Sequence, residues 1–350
     1  MNVLYLYIGD VGAEEPAFFD QEARQSGINI TAHAISNHGG KRAVLLSALT
    51  APLQQNKYDV IVTTEYFIAF AVNLRLYLLG KKVKHIVYGL NQSSRLLKFN
   101  SSLINRFVNN VFNKTDLVVT HSRAEIDLFH QAHDIDINKF VFSHWGFDLP
   151  DAKEDMFANH KKDYLSFVGR NNRDLKAFCD AIKDINIHGI IITSADNAPN
   201  FPLPDNVEIH YDLNMDACLS CIRHSKINVV LVNDNERGAG HITIVASMLM
   251  KKPQIISDVS VVKEYFVDGV HGVSVPVGDS GRVKSAIIQL LDNDLANIYG
   301  EQAFQYANKY FVNEVPSKRL VEIIVAVAGN KKPRECNEEW LHEYQSMVNK

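Results

Sequence analysis

Short runs of β-branched and aliphatic residues alternate with longer amphipathic segments along the whole chain, and this rhythm limits the fold more than any other feature. Parallel strands need a crossover of a dozen or more residues, usually a helix, so the alternation predicts βαβ units and parallel sheets. In the first half the strand-like runs are residues 2–8, 28–34, 60–63, 84–88, 117–120 and 140–143. In the second half they are 164–168, 189–193, 207–210, 227–232, 254–256 and 273–275. Between the two series lies a polar stretch, 146–160, with Pro150, Asp151, Lys153, Glu154 and Asp155, which reads as a linker.

A chain of 350 residues exceeds the usual reach of one hydrophobic core. The expected architecture is therefore α/β, two Rossmann-like domains facing a central cleft. Residues 1–150 form the first domain and 151–310 the second, while 311–350 supply helices that cross back to the first. Ligands of such domains bind at the carboxyl ends of the strands.

Several function classes are disfavoured. A formal net charge of -4 and a pI near 6.4 give no basic field to hold nucleic acid. The most apolar stretch, 67–79, is too short to span a bilayer and has Arg75 in its middle, so it reads as a buried helix. The N-terminus runs straight into an apolar strand with no basic leader region, so a cytoplasmic location is expected. Cys218 and Cys221 form one C-x-x-C without a second ligand pair. Neither D-x-D triplet, Asp134 with Asp136 or Asp292 with Asp294, follows a strand that would aim it into a cleft, and no metal is expected. The turn from Gly9 to Pro16 lacks the dinucleotide-binding spacing, and the P-loop, serine-hydrolase and zinc-protease motifs are absent from the sequence.

Three strand-end segments can carry chemistry. Gly169, Arg170, Arg173 and Lys176 follow the run at 164–168, placing cations beside a turn glycine, and arginine pairs bidentately with phosphate. Residues 233–243 include Glu236, Gly238, Gly240, His241, Ile242 and Thr243 and lead into a helix whose N-terminus favours an anion. Glu264 is expected early in a helix after the next strand, where its carboxylate can accept hydrogen bonds from sugar or ribose hydroxyls. Each segment also serves equally well as an ordinary βα turn, a solvated charge or a helix-start acid.

Taken in order, these segments resemble the donor half of GT-B glycosyltransferases, especially the large retaining group 1 (family 4-like). The stretch Glu264-Tyr265-Phe266-Val267-Asp268-Gly269, followed by Gly272 and by Val275-Pro276-Val277-Gly278-Asp279, is similar to that family's signature. The resemblance implies an N-terminal acceptor domain and a C-terminal domain for a nucleotide diphosphate sugar, UDP- or GDP-linked. It implies no cofactor beyond that substrate and no metal. Arg170, Arg173 or Lys176 would neutralise the leaving diphosphate, with Gly240 to Thr243 adding N–H donors. Many members carry two glutamates around the glycine loop, and alignment on Pro253 puts Gly238 and Ala246 at those positions. The ribose contact then falls to Glu236 or Glu264, or is lost.

An inverting enzyme would need a base, for which Asp10, Glu14 and Glu65 are the candidates at first-domain strand ends. In a retaining enzyme the departing phosphate can take the proton. The expected acceptor is a glycan or lipid-linked oligosaccharide in surface polysaccharide biosynthesis. Arg95, Lys98, Phe99, Leu103, Arg106, Phe107 and Phe112 form a basic, aromatic segment suited either to a peripheral contact with the inner membrane face or to packing on the sheet. Two alternatives stay open: a nucleotide-sugar epimerase of the same fold, and a non-catalytic nucleotide-sugar binder.

Overall fold

The computed structural model describes residues 1–10, 16–92, 101–151, 155–170, 172–233, 240–291 and 293–349. They fall into two compact units. One comprises Met1–His144 with Asn313–Leu341, the other Trp145–Val312 with His342–Lys350.

The first unit holds β1 (Asn2–Ile8), β2 (Asn29–Ile35), β3 (Val60–Thr64), β4 (Lys84–Tyr88), β5 (Leu117–Thr120) and β6 (Phe140–Phe142). They form a parallel sheet in the order β2-β1-β3-β4-β5-β6. Strands β3 and β5 are buried along nearly their whole length, as expected of parallel strands covered on both faces. The connecting helices are α1 (Asp20–Gln25), α2 (Gly40–Thr50), α3 (Tyr66–Leu79), α4 (Ser102–Phe112) and α5 (Ala124–His133). Helix α3 is the apolar stretch seen in the sequence. Its Asn73 is fully buried, bonding Thr115 Oγ1 and His85 Nδ1 at 2.8 Å each, and Thr63 Oγ1 meets His85 Nε2 at 2.9 Å. Arg75 donates to the Ala51 carbonyl, so the charge that excluded a membrane span caps a neighbouring helix instead. No helix among the described residues is long and apolar enough to cross a membrane.

The second unit repeats the plan with β7 (Tyr164–Val168), β8 (His188–Thr193), β9 (Val207–Tyr211), β10 (Ile227–Val230), β11 (Gln254–Ser257) and β12 (Gly272–Val275), in the parallel order β12-β11-β10-β7-β8-β9. Its helices are α6 (Leu175–Ile182), α7 (Met215–His224), α8 (His241–Leu249), α9 (Ser280–Leu290) and α10 (Asn293–Tyr310). Helix α11 (Glu314–Ala328) belongs to the first unit and packs on α1 and β4, while α12 (Glu338–Val348) runs to the end of the chain.

Two connections depart from the βα rhythm. Between β8 and β9 stands only a one-turn 3₁₀ helix at Ala195–Asn197, because Pro199, Pro202 and Pro204 deny the segment helical hydrogen bonds. Between β11 and β12, where the sequence suggests a helix opening at Glu264, there is a 3₁₀ turn at Ser260–Val262 followed by turns. Val261, Val262, Tyr265, Phe266 and Val267 of this segment are all buried.

Candidate functional site

The loops leaving β7 and β10 meet around one side chain. Arg173 lies across Gly169, so that a Cβ on that glycine would stand 2.1 Å from Arg173 Nε. Its Nε donates to the Val168 carbonyl at 3.4 Å, and Arg173 also forms an isolated antiparallel bridge with Val232 just beyond β10. A Cβ built on Gly240 would meet Arg173 Nη2 at 3.6 Å and Val230 Cγ1 at 3.0 Å. Gly240 caps α8 with φ 98°, a left-handed conformation that favours glycine. A permanent cation thus stands beside the positive end of a helix, at the carboxyl ends of two parallel strands.

His241, the first residue of α8, is buried, and its Nε2–H donates to the Val261 carbonyl at 2.8 Å. The ring stacks on Tyr265 at 4.3 Å, and the Tyr265 hydroxyl accepts from the Trp145 N–H at 2.6 Å. Burial, reinforced by the nearby Arg173 charge, depresses His241 to about 4 against the pull of its carbonyl bond. It is therefore neutral at pH 7 and fixed as the Nε2–H tautomer. Ile242 is exposed and Thr243 half-buried on the same first turn.

Glu264 is buried in the turn after β11. The signature around it has structural causes. Asp268 Oδ1 accepts the Ser274 N–H at 2.7 Å, and the Gly269 N–H reaches the Gly272 carbonyl at 2.9 Å. Gly272 has φ 147°, and a Cβ there would stand 2.2 Å from the Gln254 carbonyl oxygen on β11. Asp279 caps α9 by accepting from the Arg282 N–H at 2.9 Å.

The remaining donor candidates are placed differently. Arg170 is exposed and donates to the Leu213 carbonyl at 3.1 Å. Lys176 pairs with Asp180 at 2.8 Å along α6 and lies over the Phe201 ring at 5.7 Å, so these contacts hold it on the helix surface. Glu236 and Gly238 lie outside the described residues. Ala246 is fully buried within α8.

Among the base candidates, Glu65 follows β3 and caps α3 with φ 65° and ψ 146°, a region that only glycine enters without strain. Asp10 is exposed and 3.5 Å from His38 Nε2. Glu14 lies outside the described residues, as do Arg95, Lys98 and Phe99 of the basic segment. On α4, Leu103, Ile104 and Phe107 are exposed while Phe112 is buried.

Residues 193–306 match the family described as Glycosyl transferases group 1. The matched residues lie wholly within the second unit. The matched span contains α8 and the Glu264 turn but begins beyond Gly169 and Arg173. A search of curated proteins returns no match. Among solved structures the fold is that of GT-B proteins. HepE from Anabaena, in complex with UDP-glucose, is 13% identical with a TM-score of 0.68, covering 93% of this chain and 99% of that one. Sucrose-phosphate synthase from Thermosynechococcus elongatus is 13% identical with a TM-score of 0.69, over 94% and 100%. The lipopolysaccharide outer core galactosyltransferase WaaB is 9% identical with a TM-score of 0.60, over 93% and 100%.

The sequence leaves Arg170, Arg173 and Lys176 as alternatives for the cationic role. The signal that separates them is spacing: a side chain four residues past the glycine folds back over it, whereas the next residue points aside and Lys176 has already entered α6. Tyr265, which stacks on His241, was not singled out as a site residue.

Proposed function

We propose that the chain transfers a sugar from a nucleotide diphosphate sugar to a glycan or lipid-linked oligosaccharide acceptor in surface polysaccharide biosynthesis. The observation that carries this reading is the Arg173 guanidinium laid over Gly169 and beside Gly240 at the α8 N-terminus. When the sugar departs, negative charge grows on the diphosphate, and a fixed cation together with aligned N–H groups stabilises that charge more than the ground state.

Gly240, His241, Ile242 and Thr243 present the α8 N–H groups, and Glu264 offers a carboxylate to sugar or ribose hydroxyls. His241, neutral and bonded to Val261, positions the helix start and moves no proton. Glu65 is the base candidate favoured for an inverting reaction, since Asp10 is exposed and faces His38 at 3.5 Å. UDP is favoured as the nucleotide because the similar HepE fold is described with UDP and UDP-glucose. The donor reaction is proposed to need no metal. Location on the inner face of the membrane is supported by exposed Leu78, Leu79, Leu103, Ile104 and Phe107 at the ends of α3 and α4.

The test is a thermal-shift series with UDP, GDP, ADP and CMP and their sugars, with and without EDTA, followed by a product assay with lipid-linked acceptors. A nucleoside diphosphate that raises the melting temperature equally in EDTA supports the site by linkage. Binding without turnover would favour a non-catalytic binder. Conversion of free nucleotide sugar without acceptor would identify an epimerase.

A further inference from the structure

We propose that His160, His188 and Glu208 of the second unit form a binding site for a zinc-type divalent cation, with His210 holding the carboxylate in place. The site is independent of the donor loops. His188 pairs with Tyr164 at the amino ends of β8 and β7, whereas Gly169 follows the carboxyl end of β7.

The sheet brings these residues together. Register pairs Gly189 with Val207 and Ile190 with Glu208, so strand alternation puts residues 188, 208 and 210 on one face. His160, from the turn before β7, stacks on His188 at 5.6 Å with 23° between the ring planes. The Nε2 atoms of His160 and His188 lie 3.8 and 3.5 Å from Glu208 Oε2. One ligand atom from each of the three residues falls within 4.8 Å of the others.

These separations identify the chemistry. Both exceed the usual hydrogen-bond range of about 2.7–3.2 Å. The His188 separation of 3.5 Å matches two ligands sharing one tetrahedral ion, since metal–ligand bonds of about 2.0–2.2 Å put neighbouring ligands roughly 3.3–3.5 Å apart, and the His160 separation of 3.8 Å lies a little beyond. His160 Nδ1 lies 2.9 Å from the Lys162 carbonyl oxygen and 3.4 Å from the Lys162 nitrogen, so this atom is engaged with backbone while Nε2 faces the carboxylate. His210 Nε2 lies 2.6 Å from the other oxygen, Oε1. Side-chain exposures of 19% for His160, 13% for His188 and 42% for Glu208 give an ion access and leave the fourth position to water. Two imidazoles with one carboxylate suit zinc over magnesium or calcium, which prefer all-oxygen shells. A bound ion would tie the segment before β7 to the edge strand β9.

The experiment uses the untagged full-length protein, freed of metal with chelator and dialysed. Zinc is added in a calorimetric titration, and cobalt is added while visible absorption is recorded. The expected result is one equivalent of zinc, a rise in melting temperature, and cobalt bands of a four-coordinate N/O site. Glu208→Gln, which keeps the shape of the side chain, and His188→Ala should each weaken zinc at least tenfold. Their metal-free melting temperatures are compared with wild type to separate metal loss from misfolding. Zinc affinity unchanged in both variants, or a wild-type melting temperature that zinc does not move, overturns the proposal by assigning the cluster to hydrogen-bonded histidines around an acid.

Discussion

Asn91 Nδ2 donates a 2.8 Å hydrogen bond to Glu65 Oε1, and both residues hold positive φ, 42° for Asn91 and 65° for Glu65. They follow the adjacent strands β4 and β3, and the Glu65 N–H also donates to the Gly89 carbonyl at 3.0 Å. Backbone strain of about 1–3 kcal/mol per residue persists only where the surroundings enforce it, often where a side chain must be aimed. Glu65→Gln keeps the shape and removes the base. It is expected to lower kcat by about 10²–10⁴-fold with nucleotide affinity unchanged, measured by steady-state kinetics beside calorimetric UDP binding. An unaltered kcat would remove Glu65 from the chemistry and favour proton transfer to the leaving phosphate.

The proposed diphosphate clamp predicts an ordering of variants. Arg173→Ala should weaken UDP binding by an order of magnitude or more, because hydrogen bonds to charged groups are worth about 1.5–3 kcal/mol. Gly169→Ala should approach that loss, since its methyl group would occupy the path of the guanidinium. Lys176→Ala, paired on the surface with Asp180, should change affinity less than twofold. Calorimetry on the three proteins checks this, and equal losses for Lys176 and Arg173 would move the anion site.

Acid sensitivity is built into both units. Burial drives His85 and His271 down to about 3, and His133 and His241 down to about 4. Below the unfolded value near 6.5 the unfolded chain binds protons that the folded chain refuses, so stability present at neutral pH is lost as pH falls from 6.5 toward 3. The slope reaches about 1.4 kcal/mol per pH unit for each histidine. Urea melts between pH 7 and 4 should show this decline. A stability maximum near pH 4.5 would contradict it.

Gly272→Ala tests the family signature as a packing device. The added Cβ meets backbone rather than a flexible side-chain tip, at a φ that disfavours L residues. A loss of roughly 2–4 kcal/mol in urea unfolding is expected. Gly269→Ala has positive φ but open space around it and should cost less.

Both six-stranded sheets were legible in the sequence, because buried parallel strands are short β-branched runs bounded by turns. β1, β4, β5 and β7 match the expected limits at both ends, and the others shift by a residue or two. The run at 227–232 is instructive: Leu231 and Val232 are as apolar as the strand, but the ladder stops at Val230 and Val232 bridges Arg173 instead. The sequence places Glu264 early in a helix, whereas the chain forms a 3₁₀ turn and further turns there. Arg173 emerged from its neighbours only through geometry, since exposure and pairing depend on where a loop turns. The grouping of His160, His188 and Glu208 was invisible, because their spacing becomes contact only after β8 and β9 align.

Helix α11 buries Leu320, Ile323 and Ile324 in the first unit and packs against α1 and β4, although it follows the second unit in the chain. On the ribosome, residues 1–144 therefore emerge without a helix that covers their own core, and must wait for the intervening domain to be translated. At about 5–20 residues per second that wait lasts many seconds, during which apolar surface on α1 and β4 is available to chaperones. The first unit is thus begun before the second and completed only once Asn313–Leu341 have followed it.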